Sequence, residues 1–232
     1  MRRFVRGVIA VLFMLAAVPA YAEEPPHPTF DPAPPGQVVQ SQLVYLAGEA
    51  MHNQWRGVLS KKRVATSGGA AVYQWYLSLY AIDGTVYHLK YRSPAQPHPF
   101  DAVAKAEGSD HWFPWQHARI VGASELMGPG AQELVVESQS IGADCGLARV
   151  DVFFFDAALQ TVMTTPGIQN YCGLQAAIVH GAQGDALAVT GPLYGPKTPL
   201  CCPLKPKATA ILRFHNGTWE QSPRATFTVV NP

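Results

Sequence analysis

The chain has 232 residues and a formal net charge of +1, with 17 lysines and arginines against 16 aspartates and glutamates. Charged residues make up 14% of the chain, compared with about 25% in typical soluble domains. No long basic stripe is present, which argues against a nucleic-acid-binding protein and against binding to an anionic membrane surface.

Residues 1–22 have the pattern of a signal peptide. Three arginines lie within the first six residues, residues 8–20 are apolar, and Ala20-Tyr21-Ala22 fits a cleavage site. The apolar run is shorter than the roughly 20 residues that a transmembrane helix needs. An uncleaved membrane anchor is the alternative. We expect cleavage after Ala22, a mature chain with a net charge of −2, no membrane span, and a periplasmic or secreted location.

The mature chain is expected to begin with a tail. Residues 23–36 contain six prolines and little to bury, which predicts a Pro-rich disordered tail before a single domain at residues 37–232. Residues 37–54 fit either a helix or a strand, because their apolar residues satisfy both spacings. The basic run Lys61-Lys62-Arg63 is interpreted as a solvated turn.

Residues 70–92 are predicted to form a β-hairpin. Two aromatic-rich runs flank Asp83-Gly84, a dipeptide that suits the two-residue turns of hairpins. In the second run the alternation places Tyr87, Leu89 and Tyr91 on one face and His88 on the wetter face.

Residues 93–117 interrupt the strand pattern, first with Pro94, Pro97 and Pro99, and a short helix is predicted at 101–107. Histidines and aspartates crowd the 20 residues from 98 to 117: His98, Asp101, Asp110, His111 and His117. They carry no metal-ligand motif, so we interpret the segment as a polar loop and predict neither a metal nor a cofactor. Convergence of these side chains in a pocket is the basis of the alternative function, an extracytoplasmic hydrolase in the His98–His117 region.

Two segments of the remaining chain resemble each other. Residues 132–156 consist of a strand, a cysteine-bearing loop and a strand rich in valine and phenylalanine, and a similar order recurs near the C-terminus at a nearly constant offset. The repeat units run from about 118 to 163 and from about 176 to 220. They predict a mainly β fold of antiparallel hairpins in repeated units, propeller-like or a small sandwich, with few short helices.

Four cysteines in an exported chain predict disulfide bonds. Cys145 and Cys172 each stand alone before Gly-Leu, and a bond between them would close a loop of about 28 residues, stabilising the fold by about 3 kcal/mol. This pairing leaves Cys201 bonded to its neighbour Cys202, an uncommon bridge. The alternative pairs Cys145 and Cys172 with Cys201 and Cys202.

Two segments resemble known bacterial families. Residues 119–137 (RIVGASELMGPGAQELVVE) resemble FG-GAP or VCBS repeats, in which an Asp-rich and Gly-rich calcium loop precedes a strand. The glycines are kept here, but the aspartates are missing, so the calcium site that the family implies lacks its ligands. Cys201-Cys202-Pro203, followed by the strand at 209–214, is similar to a region of envelope proteins such as the LppP/LprE lipoproteins. That resemblance implies an extracytoplasmic protein without an assigned reaction.

The candidate binding residues are aromatic. Trp112, Phe113, Trp115 and Tyr194 lie in or beside predicted loops, where such side chains stack on sugar rings or anchor a protein partner. No catalytic residues are assigned, since Gly-x-Ser-x-Gly is absent and the other serines have no distinguishing context. We expect an exported, non-catalytic binding or envelope-associated domain whose partner is a glycan or an envelope protein.

Overall fold

The computed structural model describes residues 27–46, 54–67, 70–93, 115–140, 147–171, 173–193 and 205–222. This part of the chain consists of β-strands and contains no helix, hence none that is long and apolar enough to cross a membrane. The strands are β1 (Thr29–Asp31), β2 (Gln37–Val44), β3 (Trp55–Ser67), β4 (Ala70–Asp83), β5 (Val86–Arg92), β6 (Trp115–Ser124), β7 (Glu133–Ser140), β8 (Leu147–Asp156), β9 (Thr161–Tyr171), β10 (Gln175–Val179), β11 (Ala186–Leu193), β12 (Lys205–His215) and β13 (Thr218–Ser222). The prediction of a mainly β fold of antiparallel hairpins is confirmed.

The strands form three sheets. Sheet A has the order β1-β5-β4-β3-β2, sheet B the order β6-β7-β8-β9, and sheet C the order β10-β11-β12-β13. Neighbouring strands are antiparallel except β1 and β5, which are parallel. Each of the two segments predicted to be repeats therefore supplies most of one four-stranded sheet in which the chain passes from each strand to its neighbour. A closed ring of sheets, as in a propeller, is not seen in the described residues.

Sheet B is buried on both faces, between sheets A and C. Along β7, Leu134 and Val136 pack against sheet A, whereas Val135 packs against sheet C. Residues that alternate along a strand point to opposite faces, so a strand covered on both sides is apolar without interruption. This position explains the continuous apolar run Leu134-Val135-Val136.

The N-terminal part of the described chain packs on the outer face of sheet A. The Phe30 ring lies 4.9 Å from the ring of Tyr80 and 5.1 Å from that of Tyr87, both in edge geometry. The Tyr80 hydroxyl donates a hydrogen bond of 2.9 Å to the carbonyl of Pro32. Of the segment 23–36, for which a Pro-rich disordered tail is predicted, the structure describes residues 27–36, and Thr29–Asp31 form β1.

The first long strands settle two further predictions. Residues 37–44 form β2, so the strand alternative is right for this part of the ambiguous segment. The predicted turn at Lys61-Lys62-Arg63 is wrong, because these residues lie within β3 and pair with Gln74 and its neighbours in β4. Charged side chains suit this position because β2 reaches only as far as Lys61, and the rest of β3 is an open edge.

The hairpin predicted at 70–92 is present, with two local differences. Its turn residues are Gly84 and Thr85, one position later than predicted, since Asp83 pairs with Val86 and Gly84 takes a φ of +56°. A bulge then breaks the alternation of β5. As a result Tyr91 packs on Phe153 of sheet B at 5.8 Å, while Tyr87 faces the opposite side.

Side chains join edge strands of the three sheets, β2 to β6 and β6 to β10. The Gln40 carboxamide in β2 donates to the carbonyl of Ile120 and accepts from its backbone N–H, both at 2.8 Å. Sheets B and C are joined in a similar way. The Arg119–Glu137 ion pair (2.7 Å) forms hydrogen bonds with the backbone of Ala176 in β10. Arg119 donates to the Ala176 carbonyl and Glu137 accepts from its N–H, again at 2.8 Å. Each joint satisfies a backbone donor and acceptor that the sheet edge leaves open.

Candidate functional site

The predicted aromatic surface lies largely outside the described residues. Trp112, Phe113 and Tyr194 belong to segments that the structure does not describe. Trp115 is the first residue of β6, and its backbone pairs with Ser140 of β7. The described part of the chain therefore does not bring the four predicted binding residues together.

The structure also does not describe the four cysteines or most of the region predicted for the hydrolase site. Cys145, Cys172, Cys201 and Cys202 lie outside the described residues, as do residues 94–114. The strands that flank the cysteines end on one side of sheets B and C: Leu147 pairs with Tyr171, and Leu193 pairs with Lys205. The disulfide pairing and the hydrolase site stay predictions.

A cleft lies at the opposite end of sheets B and C, where their hairpins turn. It is formed by the β6–β7, β10–β11 and β12–β13 turns and encloses about 610 Å³. We call it the turn cleft, and its lining residues are Glu125, Leu126, Met127, Gly128, Pro129, Gln183, Gly184, Asp185, Arg213, Phe214, His215 and Glu220. Because equivalent hairpins of two packed sheets end side by side, their turns form a shared surface.

The Asp185 carboxylate of the turn cleft contacts two other polar side chains. It follows the β10–β11 turn and accepts a hydrogen bond from the Ser124 hydroxyl, and its other oxygen lies 2.7 Å from Nδ1 of His180. The Ser124 hydrogen bond, followed by that of His180, lowers the pKa of Asp185. Asp185 is therefore a carboxylate near neutral pH, and it keeps further lone pairs for a ligand.

The arrangement of Ser124, Asp185 and His180 does not form an acyl-transfer relay. In such a relay the imidazole contacts the serine hydroxyl and removes its proton, and the carboxylate orients the imidazole. Here the carboxylate of Asp185 lies between the other two side chains. Ser124 is also buried, so it is not presented to a substrate.

Glu133 is buried behind the β6–β7 turn, which lines the turn cleft. Its carboxyl group is buried and accepts hydrogen bonds from the backbone N–H groups of Leu126 (2.6 Å) and Met127 (3.0 Å). Burial raises the pKa of Glu133 to about 7, although the hydrogen bonds from Met127 and Leu126 act in the opposite direction. This carboxyl group holds the glycine-containing β6–β7 turn through these two hydrogen bonds. Among the described residues, no group of three or more His, Cys, Asp or Glu side chains is placed to hold a metal ion.

The other walls of the turn cleft combine hydrogen-bond donors, acceptors and an apolar surface. Arg213 donates to the carbonyl of Gly184 at 3.3 Å, which occupies one of the five N–H groups of its guanidinium. Glu125 is exposed, and Phe214 is half-buried with its ring 5.3 Å from that of Trp219. Such a mixture suits a polar ligand that also presents C–H groups.

A smaller cavity of about 450 Å³ lies where β6 and β10 run side by side. Arg119 lines it, but its guanidinium is already bonded to Glu137 and to the carbonyl of Ala176. The polar groups of this cavity serve the joint between sheets B and C, so we place the candidate site in the turn cleft.

A second cluster of side chains lies at the other end of sheets A and B. Nζ of Lys61 lies 4.8 Å from the ring centroid of Tyr73 and 5.7 Å from that of Trp75. The Trp75 ring stacks on His117 of β6 at 6.3 Å with an interplanar angle of 21°. We call these four residues the Lys61 cluster. His117 is the one member of the predicted histidine-rich segment whose side chain belongs to the described residues.

Comparison of the chain with models of protein families, with curated proteins and with solved structures finds no match. The resemblances to FG-GAP or VCBS repeats and to the LppP/LprE lipoproteins therefore stay predictions.

Sequence reasoning misses the residues of the turn cleft. Asp185 stands in a recognisable turn, Gln183-Gly184-Asp185, but its contact with Ser124 joins residues that are 61 positions apart. The signal that points to the cleft is the repeat itself, since two similar hairpins that pack together must bring their turns together. Which side chains of the turns meet depends on how sheets B and C are shifted relative to each other, and the sequence does not determine this shift.

Proposed function

We propose that the protein is an exported, non-catalytic module, periplasmic or secreted, that binds a neutral glycan in the turn cleft. The observation that supports this most is the ionised Asp185 carboxylate, held by Ser124 and His180 in a cleft of about 610 Å³ that Arg213 also lines. The signal-peptide pattern of residues 1–22 supports export.

The chemistry of the walls fits a sugar. A carboxylate accepts hydrogen bonds from neighbouring hydroxyl groups, and the free N–H groups of Arg213 donate to hydroxyl oxygens. Hydrogen bonds to charged groups contribute about 1.5–3 kcal/mol each. Phe214 and Met127, both half-buried in the lining, offer apolar contact for the C–H face of a sugar ring.

A binding role fits these side chains better than a hydrolytic one. Ser124 is buried and donates to the Asp185 carboxylate, while the His180 imidazole contacts Asp185 and not Ser124, so Ser124 lacks the activation by histidine that a serine nucleophile needs. No observation favours the hydrolase in the His98–His117 region, and we propose a single function.

A glycan array tests the proposal. The mature chain (residues 23–232) is expected to bind a subset of neutral oligosaccharides, and Asp185→Asn is expected to weaken that binding by about tenfold to a hundredfold, since a hydrogen bond to a charged group is lost. Asn keeps the size of the side chain and an oxygen for Ser124, so the turn is preserved.

Asp83→Asn is the matched control, because Asp83 is exposed in the β4–β5 hairpin of sheet A. It is expected to bind as the unchanged chain does. Equal binding by both variants, or an array on which the mature chain binds no neutral oligosaccharide, would contradict the proposed function.

A further inference from the structure

We propose that the Lys61 cluster is a second binding site, for a polysaccharide that carries carboxylate groups. This site is independent of the turn cleft, since it lies at the other end of the sheets and shares no residue with it. The glycan site proposed in the turn cleft does not by itself imply a second site for a charged polysaccharide.

The cluster stands at the base of a two-stranded ribbon. The last pair of β2 with β3 joins Gln37 to Lys61, and the last pair of β5 with β4 joins Arg92 to Ser78. Residues 62–67 and 70–76 therefore pair only with each other in the described sheet. Within the described residues the ribbon extends past its neighbouring strands, and Lys62 and Arg63 at its base are exposed.

One face of this ribbon has cations on one strand and aromatic rings on the other. Lys61 pairs directly with Trp75, and Arg63 pairs with Tyr73. Directly paired side chains stand on the same face of a sheet, about 5 Å apart. The Lys61 ammonium group and the Tyr73 and Trp75 rings therefore share one face of the ribbon.

The ammonium group of Lys61 is held in a defined position, and no carboxylate of the described residues neutralises its charge. Its ammonium group lies over the Tyr73 and Trp75 rings, and no carboxylate within the described ranges comes within ion-pair distance of it. A cation–π contact holds an ammonium group in place without cancelling its charge. Lys61 therefore remains available to an anion that approaches along the rings.

His117 extends the surface from sheet B. Its ring is exposed and stacks on Trp75, so the aromatic surface continues from the ribbon onto the first strand of the next sheet. Tyr73 and Trp75 are half-buried and do not protrude as residues that insert into a bilayer do. These features favour a stacked, charged sugar over a lipid surface.

Isothermal titration of the mature chain with an oligogalacturonate of eight residues tests the inference. We expect measurable binding in 20 mM salt that weakens in 200 mM salt, because salt screens the charges. The double variant Lys61→Gln/Arg63→Gln is expected to bind at least tenfold more weakly. Tyr73→Leu keeps both charges and is also expected to weaken binding, by about fivefold.

Lys90→Gln is the matched control, because Lys90 is an exposed lysine elsewhere on sheet A. It and Asp185→Asn are expected to bind the oligogalacturonate as the unchanged chain does, so this result is separate from that for the turn cleft. Equal affinity of the double variant and the unchanged chain would overturn the inference. Tighter binding to phosphatidylglycerol vesicles or to double-stranded DNA would overturn it as well.

Discussion

Glu133 holds the β6–β7 turn through two backbone N–H groups, from a buried position at the start of β7. A protonated carboxyl group accepts hydrogen bonds through its carbonyl oxygen and needs no counter-charge. Burial therefore favours the protonated form, which is why the pKa of Glu133 rises to about 7.

The raised pKa makes stability depend on pH. Between pH 4.5 and about 7 the folded chain keeps a proton on Glu133 that the unfolded chain has released, so the free energy of unfolding falls as the pH rises. The contribution is fully present below pH 4.5 and is lost as the pH passes 7. Its size is on the order of 3 kcal/mol. In Glu133→Gln, which has no proton to lose, this fall is expected to disappear.

Urea unfolding at pH 5 and pH 8 measures the effect in both proteins. Other titrating groups contribute equally to the two, so the difference between their pH profiles belongs to Glu133. If the unchanged chain and Glu133→Gln lose the same stability between these pH values, the assigned role of burial is refuted.

The strand that begins at Glu133 is predictable from the sequence, but the burial of its acids is not. Glu133-Leu134-Val135-Val136-Glu137 has apolar residues in the centre and glutamates at the ends, which suggests that the glutamates are exposed. In the structure both are buried. Each then requires partners that lie elsewhere in the chain, at Leu126 and Met127 or at Arg119 and Ala176.

At the scale of the elements, Gln40 links sheet A to sheet B. Its carboxamide forms two hydrogen bonds with the backbone of Ile120, as a neighbouring strand would. Gln40→Ala leaves both backbone groups of Ile120 without these bonds, and we expect a loss of 1–3 kcal/mol in the free energy of unfolding, roughly the cost of unsatisfied buried groups. Chemical denaturation with a fluorescence readout measures the loss.

Gln42→Ala is the matched control, because Gln42 lies two residues further along β2 and its carboxamide bonds only to the adjacent Leu43 carbonyl. We expect it to cost about 0.5 kcal/mol or less. A similar loss in the two variants would mean that the Gln40 joint does not contribute to the stability of the fold.

The elements themselves follow largely from local sequence, and their exceptions have physical causes. The long hairpin at 70–92 and the strands around 133–137 and 150–155 are predicted by alternation, β-branched residues and aromatic residues. β1 is missed, because three residues gain stability only by pairing with β5 and by the packing of Phe30. The basic residues of β3 are misassigned because an open strand edge tolerates charges that a central strand does not.

At the scale of the whole molecule, the three sheets pack in series and the chain passes through them in order. The core between sheets A and B and the core between sheets B and C share no residue. Sheet B belongs to both cores through its opposite faces. The repeat in the sequence anticipates that sheets B and C are alike. Sheet A is anticipated only through its hairpin at 70–92, because its sequence does not resemble that of the other two sheets.

Export and disulfide formation make a prediction for the whole chain. Leu147 pairs with Tyr171, and in the sequence Cys145 precedes this pair by two residues while Cys172 follows it by one. We expect mass spectrometry of the exported protein to show an N-terminus at Glu23 and, in a non-reducing digest, a Cys145–Cys172 bond. A pairing of Cys145 with Cys201 or Cys202 would contradict the second expectation, and an unprocessed N-terminus would contradict the first.

The turn cleft is tested most directly by nuclear magnetic resonance titration of the isotope-labelled mature chain with the neutral oligosaccharide that binds best on the array. We expect the backbone amides of residues 125–130, 180–185 and 213–217 to shift with increasing ligand, and those around Lys61 to stay unchanged. Shifts that avoid all three turns and gather elsewhere on the sheets would show that the turn cleft is not where a glycan binds.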